Sequence, residues 1–478
     1  MSSNVVSVDS LRSRSIKYVR VTWVDWANNV RYRVLPIQYF TKLLENAGKD
    51  SAGVLKGRPG ISVAKVVFGI VGIGIAEGFG PIAEYLYAID ISTLRICEYA
   101  SGHASVYGWF QEKIPVPQPN AGITENDRRA LEVEFCPRTI LRRVVDTAKE
   151  LTGTSFLVGI ETEFILLSST SPIKAVNNHG WSISAALPSS KSVENKALEE
   201  IVDCLLKSGV EVQMYHAESA PGQYEVVTGP LEPLQAMDAL IHTRETIFNV
   251  AAKYGLRATL APRVYTDNCG SAAHAHMSVH HPSPSSSKHP LLYAHEASFL
   301  AGLLTHLPSI ALLLLPTPSS YLRMQDGVWS GGTYVSWGVD HREAPVRLCQ
   351  SHTPSSRNFE LKTMDGTANP YLAMAAILAA GLHGMIDSME LTIKELPNDK
   401  GASAAMLSKE EREALGIKER LPLSLEEASE RFGRSLFIER VFGSAFREKY
   451  RNVNKLLKHH LTFGLMDEEA LKLMVESY

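Results

Sequence analysis

Excess positive charge is one feature that this sequence lacks, since 48 Lys and Arg residues face 51 Asp and Glu residues. A chain of 478 residues with a net charge of -3 is a poor candidate for generic binding to nucleic acid or to anionic membranes. Cysteine is also scarce, and the five cysteines are far apart with no Cys-x-x-Cys pair. This spacing argues against a disulfide framework and a thiolate zinc site, and it fits a reducing compartment.

Long hydrophobic runs are the third feature in short supply. Residues 1–15 lack the apolar segment of a secretory signal. The apolar stretches 66–76 and 373–385 are shorter than the roughly 20 residues that span a bilayer. The sequence therefore predicts a cytoplasmic protein that binds neither membrane nor nucleic acid.

The remaining composition is that of a large globular protein, because 45% of the residues are hydrophobic and 21% are charged. Hydrophobic periodicity, turn residues and helix caps predict several helices and strands. These are a hairpin over 17–35 that turns at Asn28-Asn29, a helix over 137–152, a strand over 156–167, a helix from about 234 to Gly255, a strand over 274–279, and helices that begin after Asn369 and Ser424.

A change in composition near residue 115 predicts a domain boundary. Pro115, Pro117 and Pro119 form a stiff connector between a β-rich region and a region of alternating helices and strands. We therefore expect an α+β protein with a small N-terminal domain over residues 1–110 and a large second domain over residues 111–478.

Acidic and imidazole side chains are concentrated in four short segments. Within each segment two charged or imidazole side chains are spaced by two, which directs them to one face of a sheet, or flank a Pro-Gly turn that could bring them together. Charges inside an otherwise apolar strand are rarely buried unless they are paired or bound to a metal. The residues are Glu161 and Glu163 in GIETEF, Glu218 and Glu225 in HAESAPGQYEV, His274 and His276 in GSAAHAHMSV, and Glu360 and Lys362 in RNFELK.

Clustered carboxylates indicate divalent cations, because carboxylates on neighbouring strands repel one another unless a cation lies among them. Glutamates with a histidine suit Mg²⁺ or Mn²⁺, and two such ions could neutralise the phosphates of a nucleotide. Arg323, Arg342 and Arg347 form a second set that could bind carboxylate or phosphate oxygens through two donors at once.

The order of these motifs resembles the class I-like branch of the glutamine synthetase family, from about residue 115 to residue 455. The segments that carry the resemblance are GIETEF, ESAPGQYEV, GSAAHAHMSV, PTPSSYLRM, WGVDHREAPVRL, NFELKTMDGTANPYLA and LPLSLEEA. The resemblance implies a β-grasp domain over residues 1–110 and a catalytic domain over residues 111–478 with a curved antiparallel sheet. It also implies a ring-shaped homo-oligomer with active sites between neighbouring subunits.

The resemblance further implies a role for each candidate residue. Glu163, Glu218 and Glu225 match the ligands of the metal nearer the acid substrate, and Glu161, His274 and Glu360 match those of the metal at the nucleotide phosphates. His276, Ser278 and Arg347 match nucleotide-binding positions, and Arg342 and Arg347 match catalytic arginines that stabilise the transferring phosphoryl group. Gly270, Arg323, Arg342 and Lys362 match substrate-binding positions.

The reaction that the resemblance implies uses ATP and two Mg²⁺ or Mn²⁺ ions to convert glutamate to γ-glutamyl phosphate. Ammonia or an amine then displaces phosphate to form an amide. The expected partners are thus a glutamate-like acid and a nitrogen nucleophile.

The sequence departs from the family at the positions that handle ammonium. The segment VVFGIVGIGIAEGFG has no Asp-Gly-Ser stretch, the flap segment WSGG at 329–332 has no acid, and Lys362 replaces an arginine. Two hypotheses follow. Either the nucleophile is a larger organic amine that needs an aromatic, roomier flap at Trp329, or the chain is a catalytically silent relative with an assembly or developmental signalling role. The sequence also resembles the synthetase-like portion of fungal developmental proteins, and this similarity fits both.

We favour the enzyme, because a silent relative has no reason to keep six costly metal ligands. A plain metal- or nucleotide-binding module would explain the glutamates and histidines. It would leave the arginine set without a purpose.

Overall fold

The computed structural model describes residues 8–48, 55–115, 128–181, 192–350, 356–398 and 403–478. Pro117 and Pro119 of the predicted connector lie outside these residues. The helices in the described ranges are α1 Val8–Ser13, α2 Ile37–Ala47, α3 Arg128–Leu131, α4 Pro137–Thr152, α5 Val193–Lys207, α6 Pro233–Lys253, α7 Ala294–Leu314, α8 Pro318–Arg323, α9 Pro370–Ile386, α10 Lys409–Ala414, α11 Leu425–Arg434, α12 Leu436–Phe442, α13 Ser444–Thr462 and α14 Asp467–Ser477.

The strands form one large sheet and several small ones, and the predicted α+β class is confirmed. The strands up to residue 111 are β1 Tyr18–Val24, β2 Val30–Pro36, β3 Gly60–Ala64, β4 Ile70–Val71, β5 Gly74–Ile75, β6 Glu84–Ile89, β7 Arg95–Ile96, β8 His103–Val106 and β9 Gly108–Gln111. The later strands are β10 Ser155–Thr170, β11 Ile173–Ala175, β12 Val212–Ala217, β13 Gln223–Thr228, β14 Arg257–Thr259, β15 Ala273–His280, β16 Trp337–Val339, β17 Val346–Cys349 and β18 Asn358–Leu361.

The predicted hairpin at the start of the chain is confirmed as β1 and β2, which pair antiparallel. Asn28 in the turn has a φ of 63°, a left-handed conformation that asparagine tolerates better than most residues. Strand β1 also pairs in parallel with β8, giving a four-stranded sheet in the order β2-β1-β8-β7. Helix α2 follows the hairpin directly.

Helix boundaries follow the capping residues that the sequence displays. Helix α4 has Pro137 in its first turn and ends at Gly153, whose φ of 69° is a left-handed conformation that glycine adopts without strain. The Asn369 side chain accepts hydrogen bonds from the backbone N–H groups of Tyr371 and Leu372 and so caps α9. These predicted helices are therefore confirmed together with the physical causes of their ends.

The nine-stranded sheet positions the candidate site. Its main path runs β12-β13-β10-β15-β18-β17-β16, and β11 and β14 pair with β10 at the side. All pairs are antiparallel except β16 with β17. The strands predicted over 156–167 and 274–279 are confirmed as β10 and β15, which are neighbours at the centre of this sheet.

Helix α7 corrects one expectation from the sequence. Its 21 residues are long and apolar enough, by length and composition, to cross a membrane. The sequence pattern missed this run because Pro308 lies inside it and proline normally interrupts a helix. In the structure 78% of its most apolar window is buried, and a buried core helix passes the same test of length and composition.

Helices α7 and α9 pack closely against each other in the core. A Cβ atom at Gly302 of α7 would lie 2.4 Å from the Ala380 carbonyl oxygen of α9. The helices can therefore approach this closely because glycine has no side chain at the crossing.

Trp26 joins the N-terminal region to the rest of the core. Its side chain is 2% exposed, its indole Nε1 donates a hydrogen bond to the Phe135 carbonyl oxygen at 3.1 Å, and its ring packs on Phe68, Phe446 and Tyr450. The apolar core is thus continuous from the first hairpin to the C-terminal helices. The proposed division between residues 110 and 111 stays a prediction.

We predict that Trp26→Ala destabilises the protein by about 3–5 kcal/mol, because it empties a tightly packed aromatic site and removes the hydrogen bond to Phe135. The measurement is the urea unfolding midpoint. Tyr39→Ala is the control, because Tyr39 is 50% exposed. A loss below about 1 kcal/mol would show that the neighbouring rings close the cavity without cost.

Candidate active site

The register of the large sheet aligns the charged side chains predicted from four separate segments. Along the sheet path β12-β13-β10-β15-β18-β17, each pair of neighbouring strands places a histidine, glutamate or arginine opposite another such residue. Segments that are distant in the sequence therefore meet in one row. The paired residues are His216 with Glu225, Glu225 with Glu163, Glu161 with His274, His276 with Glu360, and Glu360 with Arg347.

Three groups of side chains in this row could each hold a cation. In each group, one ligand atom from every residue lies within 4.8 Å of the others. Carboxylate oxygens with one imidazole nitrogen are a donor set suited to Mg²⁺ or Mn²⁺. The groups are Glu161, His274 and Glu360; Glu163, Glu225 and His274; and His216, Glu218 and Glu225. All six residues predicted as metal ligands are therefore brought together.

The first group is centred on the imidazole of His274. Its Nδ1 atom lies 2.9 Å from Glu161 Oε2 and 3.6 Å from Glu360 Oε1. Burial raises the pKa of Glu161, but the nearby imidazoles of His274 and His276 outweigh it and hold the pKa well below its usual range. Glu161 is thus held as a carboxylate ready to bind a cation.

Glu163 in the second group is held in place by its own hydrogen bonds. Its Oε2 atom accepts a hydrogen bond from the Ala272 backbone N–H at 2.8 Å and one from the Gln223 side-chain amide at 3.2 Å. Its Oε1 atom lies 3.8 Å from His274 Nδ1. One oxygen therefore fixes the side chain while the other faces the group.

The third group contains His216, which the sequence analysis missed. Its Nδ1 atom lies 3.3 Å from Glu218 Oε1 and its Nε2 atom lies 3.2 Å from Glu225 Oε1. Its contact with Glu225 raises the pKa of His216 to about 9 despite burial. His216 stands two residues before Glu218 at the end of β12, and this spacing by two is the signal that could have identified it.

Burial and neighbouring carboxylates make the charged forms of Glu218 and Glu225 costly. Burial, followed by the charge of Glu163, raises the pKa of Glu218 to about 7. Burial, with the charges of Glu161 and Glu163, also raises the pKa of Glu225 to about 7. The donor set therefore fits a divalent cation, which would relieve both costs.

Glu360 lies between two basic side chains as well as beside His274. Arg347 donates a hydrogen bond to Glu360 Oε2 at 2.7 Å, and Lys362 donates one to Oε1 at 2.9 Å. Burial raises the pKa of Glu360, but the nearby Lys362, His274 and His276 outweigh burial and lower this pKa to about 2. The buried Nε atom of Arg347 has no hydrogen-bond partner among the described residues, so this N–H group could bind an anion.

One cavity of about 280 Å³ contains nearly all of the predicted site residues. Gly270 and Arg323 meet in its wall, where a Cβ atom at Gly270 would lie 2.6 Å from Arg323 Cγ. Arg323 is only 2% exposed and donates a hydrogen bond to the Lys362 carbonyl oxygen at 2.9 Å. The predicted residues that line the cavity are Glu161, Glu163, Glu218, Glu225, Gly270, His274, His276, Arg323, Arg342, Arg347, Glu360 and Lys362.

Ser278 is the one predicted residue that does not line this cavity. It follows His276 by two positions on β15, and its hydroxyl lies 2.8 Å from His280 Nε2. His276 is closer to the charged row, because its Nε2 atom lies 3.0 Å from Glu161 Oε1. The nucleotide-binding role of Ser278 stays a prediction.

The segment predicted as the flap reaches the cavity through Val328, Trp329 and Ser330. Glu343, which the sequence analysis did not single out, holds this segment. Its Oε1 atom accepts a hydrogen bond from the Trp329 backbone N–H at 2.7 Å, and its Oε2 atom accepts one from Gly327 at 3.2 Å. An acid therefore supports the flap, although the flap segment itself has none.

The cavity places carboxylates and imidazoles that could hold divalent cations next to arginines and a lysine that could hold phosphate oxygens. This arrangement is typical of enzymes that transfer phosphoryl groups with the help of metal ions. The family model for the glutamine synthetase catalytic domain matches residues 134–459, more than half of the chain. The chain therefore belongs to the glutamine synthetase family.

The chain is also similar to individual relatives, and it spans about half the length of the first of them. The chain is 34% identical over 473 residues to Protein fluG of Emericella nidulans, covering 97% of this chain but only 49% of that protein. It is 32% identical over 305 residues to gamma-glutamylpolyamine synthetase GlnA3 of Streptomyces coelicolor, covering 61% of this chain and 63% of that one.

A crystal structure described as a novel glutamine synthase homolog matches the fold with a TM-score of 0.77. It covers 97% of this chain and 99% of that chain at 22% identity. This likeness shows the fold alone.

Proposed function

We propose that the chain joins a glutamate-like acid to an organic amine, through an acyl phosphate made with ATP. The observation that carries the proposal is the composition of the cavity. It combines a complete set of candidate cation ligands with a flap segment of Val328, Trp329 and Ser330 that has no acid. Ammonium needs carboxylates that hold and deprotonate it, whereas an organic amine can also be held by its carbon body.

In the first proposed step, one γ-carboxylate oxygen of the acid attacks the terminal phosphorus of ATP, and the bond to ADP breaks. Gly270 and Arg323 would position the acid, and Arg342, Arg347 and Lys362 would stabilise the charge on the transferring group. Divalent cations held by the glutamate and histidine groups would neutralise the phosphate oxygens.

In the second step, the unprotonated amine attacks the carbonyl carbon of the acyl phosphate. The bond between this carbon and the phosphate oxygen breaks with its electron pair, and the proton lost by the nitrogen balances the released phosphate. The relative GlnA3 supports an amine as nucleophile, since its name describes a gamma-glutamylpolyamine synthetase. A ring-shaped homo-oligomer and a cytoplasmic location stay predictions.

We predict that glutamate, ATP and Mg²⁺ or Mn²⁺ release phosphate faster with organic amines than with ammonium, because the flap offers an amine apolar contacts and no acid. Phosphate release and the mass of the amide product measure the outcome, and omission of glutamate is the control. Faster turnover with ammonium would contradict the proposal. ATP binding without turnover on any nucleophile would favour the silent relative.

A further inference from the structure

Two tryptophans from distant parts of the chain stack beside the cavity. The rings of Trp181, after β11, and Trp329, in the flap segment, have centroids 5.1 Å apart and an interplanar angle of 21°. The side chains are 48% and 49% exposed. Stacked indoles that keep so much apolar surface in water are a costly arrangement unless a ligand covers them.

Both tryptophans hold an unusual backbone conformation. Trp181 has a φ of 52° and Trp329 a φ of 58°, in the left-handed region that bulky side chains rarely adopt. Non-glycine residues in such conformations are concentrated at functional sites, where the surrounding structure must hold them in place. The two conformations therefore indicate that the surrounding structure holds the tryptophan pair in this position.

Hydrogen bonds connect each tryptophan to the neighbourhood of the catalytic groups. The Trp181 backbone N–H donates to the carbonyl oxygen of Glu218, a predicted metal ligand, at 2.7 Å. The Trp329 backbone N–H donates to Glu343, which follows the predicted catalytic Arg342 in the chain. Any ligand resting on the indoles therefore lies next to the predicted metal and phosphate positions.

The surroundings of Trp329 indicate what kind of molecule would rest there. Apolar or weakly polar side chains of Met214, Val328 and Cys269 line the same cavity, and the Cys269 thiol donates to the Val328 carbonyl oxygen at 3.6 Å. Among the described lining residues, every carboxylate belongs to a candidate cation group. Glu343 is also occupied, because its two oxygens accept backbone N–H groups.

A diamine or polyamine substrate would bring a second, positively charged nitrogen into the cavity. This nitrogen would face four basic residues, and no lining carboxylate would be left to pair with it. The lining residues with positive charge are Arg323, Arg342, Arg347 and Lys362. A flat aromatic ring, in contrast, stacks on an indole face without adding charge. We propose that the Trp181–Trp329 pair is the subsite for the body of the amine, and that it takes a primary amine carrying an aromatic ring. This inference rests on the proposed function, and it differs from a polyamine specificity.

The test compares 2-phenylethylamine with ethylamine and 1,4-diaminobutane as nucleophiles in the phosphate-release assay. The wild-type chain should have its highest kcat/KM with 2-phenylethylamine. Trp329→Ala should lower the ratio of kcat/KM for 2-phenylethylamine over ethylamine about tenfold, mainly through KM, whereas Trp329→Phe should retain most of it. Trp181→Ala should lower the same ratio, because Trp181 supports the ring of Trp329.

A binding measurement gives a readout independent of turnover. Titration with 2-phenylethylamine should quench indole fluorescence in the wild type, and Trp329→Phe should lose most of this change while still binding the amine. Phe463→Ala is the control, because Phe463 is 72% exposed and does not line the cavity.

The possible failures are distinguishable. Equal or better use of 1,4-diaminobutane, with a selectivity ratio that Trp329→Ala does not change, would overturn the aromatic subsite and leave an organic-amine ligase standing. Faster turnover with ammonium than with every amine would overturn the proposed function and this inference together.

Discussion

Replacement of Glu225 by glutamine should abolish tight Mn²⁺ binding and reduce amide formation by about 100-fold or more. Glu225 is a member of two of the three candidate cation groups, one with Glu163 and His274 and one with His216 and Glu218. A single substitution therefore removes a charged oxygen from both. Calorimetric titration with Mn²⁺ and the phosphate-release assay measure the two effects.

The same substitution should not weaken the metal-free fold. Burial and the neighbouring Glu161 and Glu163 raise the pKa of Glu225 to about 7. A carboxyl group with a raised pKa in the folded state destabilises the fold as pH rises from its unfolded value through 7, because the charged form is the costly one. At pH 8 the neutral glutamine removes this cost, but it also removes the ion pair that raises the pKa of His216 to about 9, so the two effects oppose each other and the unfolding midpoint should change little.

Glu211→Gln is the matched control, since Glu211 is exposed just before the strand that carries His216. It should change neither Mn²⁺ binding nor turnover. An unchanged Mn²⁺ titration in Glu225→Gln would refute the cation site. A large loss of metal-free stability would instead indicate that Glu225 has a structural role.

Much of this site could be predicted from local patterns. The spacing by two of Glu161 with Glu163, and of His274 with His276, predicts a shared sheet face because side chains alternate along a strand. The order of the motifs then predicts the family. The register that sets Glu163 opposite Glu225 depends on pairing between distant strands, which local spacing does not encode.

The residues missed by sequence reasoning share a physical cause. Trp181 and Glu343 have no repeated spacing, and they gain their significance from a stacked ring far along the chain and from backbone N–H groups. His216 is spaced by two from Glu218, but its contact with Glu225 depends on strand pairing. Helix α7 was missed for a different reason. Pro308 locally predicts an interruption of the helix, but packing in the core keeps the helix continuous through it.

Arg342→Ala should lower the rate of phosphate release by about 100- to 1,000-fold without destabilising the protein. Arg342 lines the cavity, is exposed, and makes no hydrogen bond or ion pair with another described residue. Arg347 differs, because its guanidinium is already bound to Glu360 at 2.7 Å. Arg342 is therefore the arginine whose donors are available to an incoming phosphoryl group.

Arg342→Lys separates charge from geometry in this prediction. Lysine keeps the positive charge but lacks the planar fork that binds two phosphate oxygens at once, so it should restore only part of the lost rate. Arg434→Ala is the control, because Arg434 is an exposed arginine that pairs with Glu430 outside the cavity. Wild-type turnover in Arg342→Ala would assign the stabilisation of the transferring group to Arg347 and Lys362. Both of these would then have to exchange their contacts with Glu360 for contacts with phosphate during each turnover.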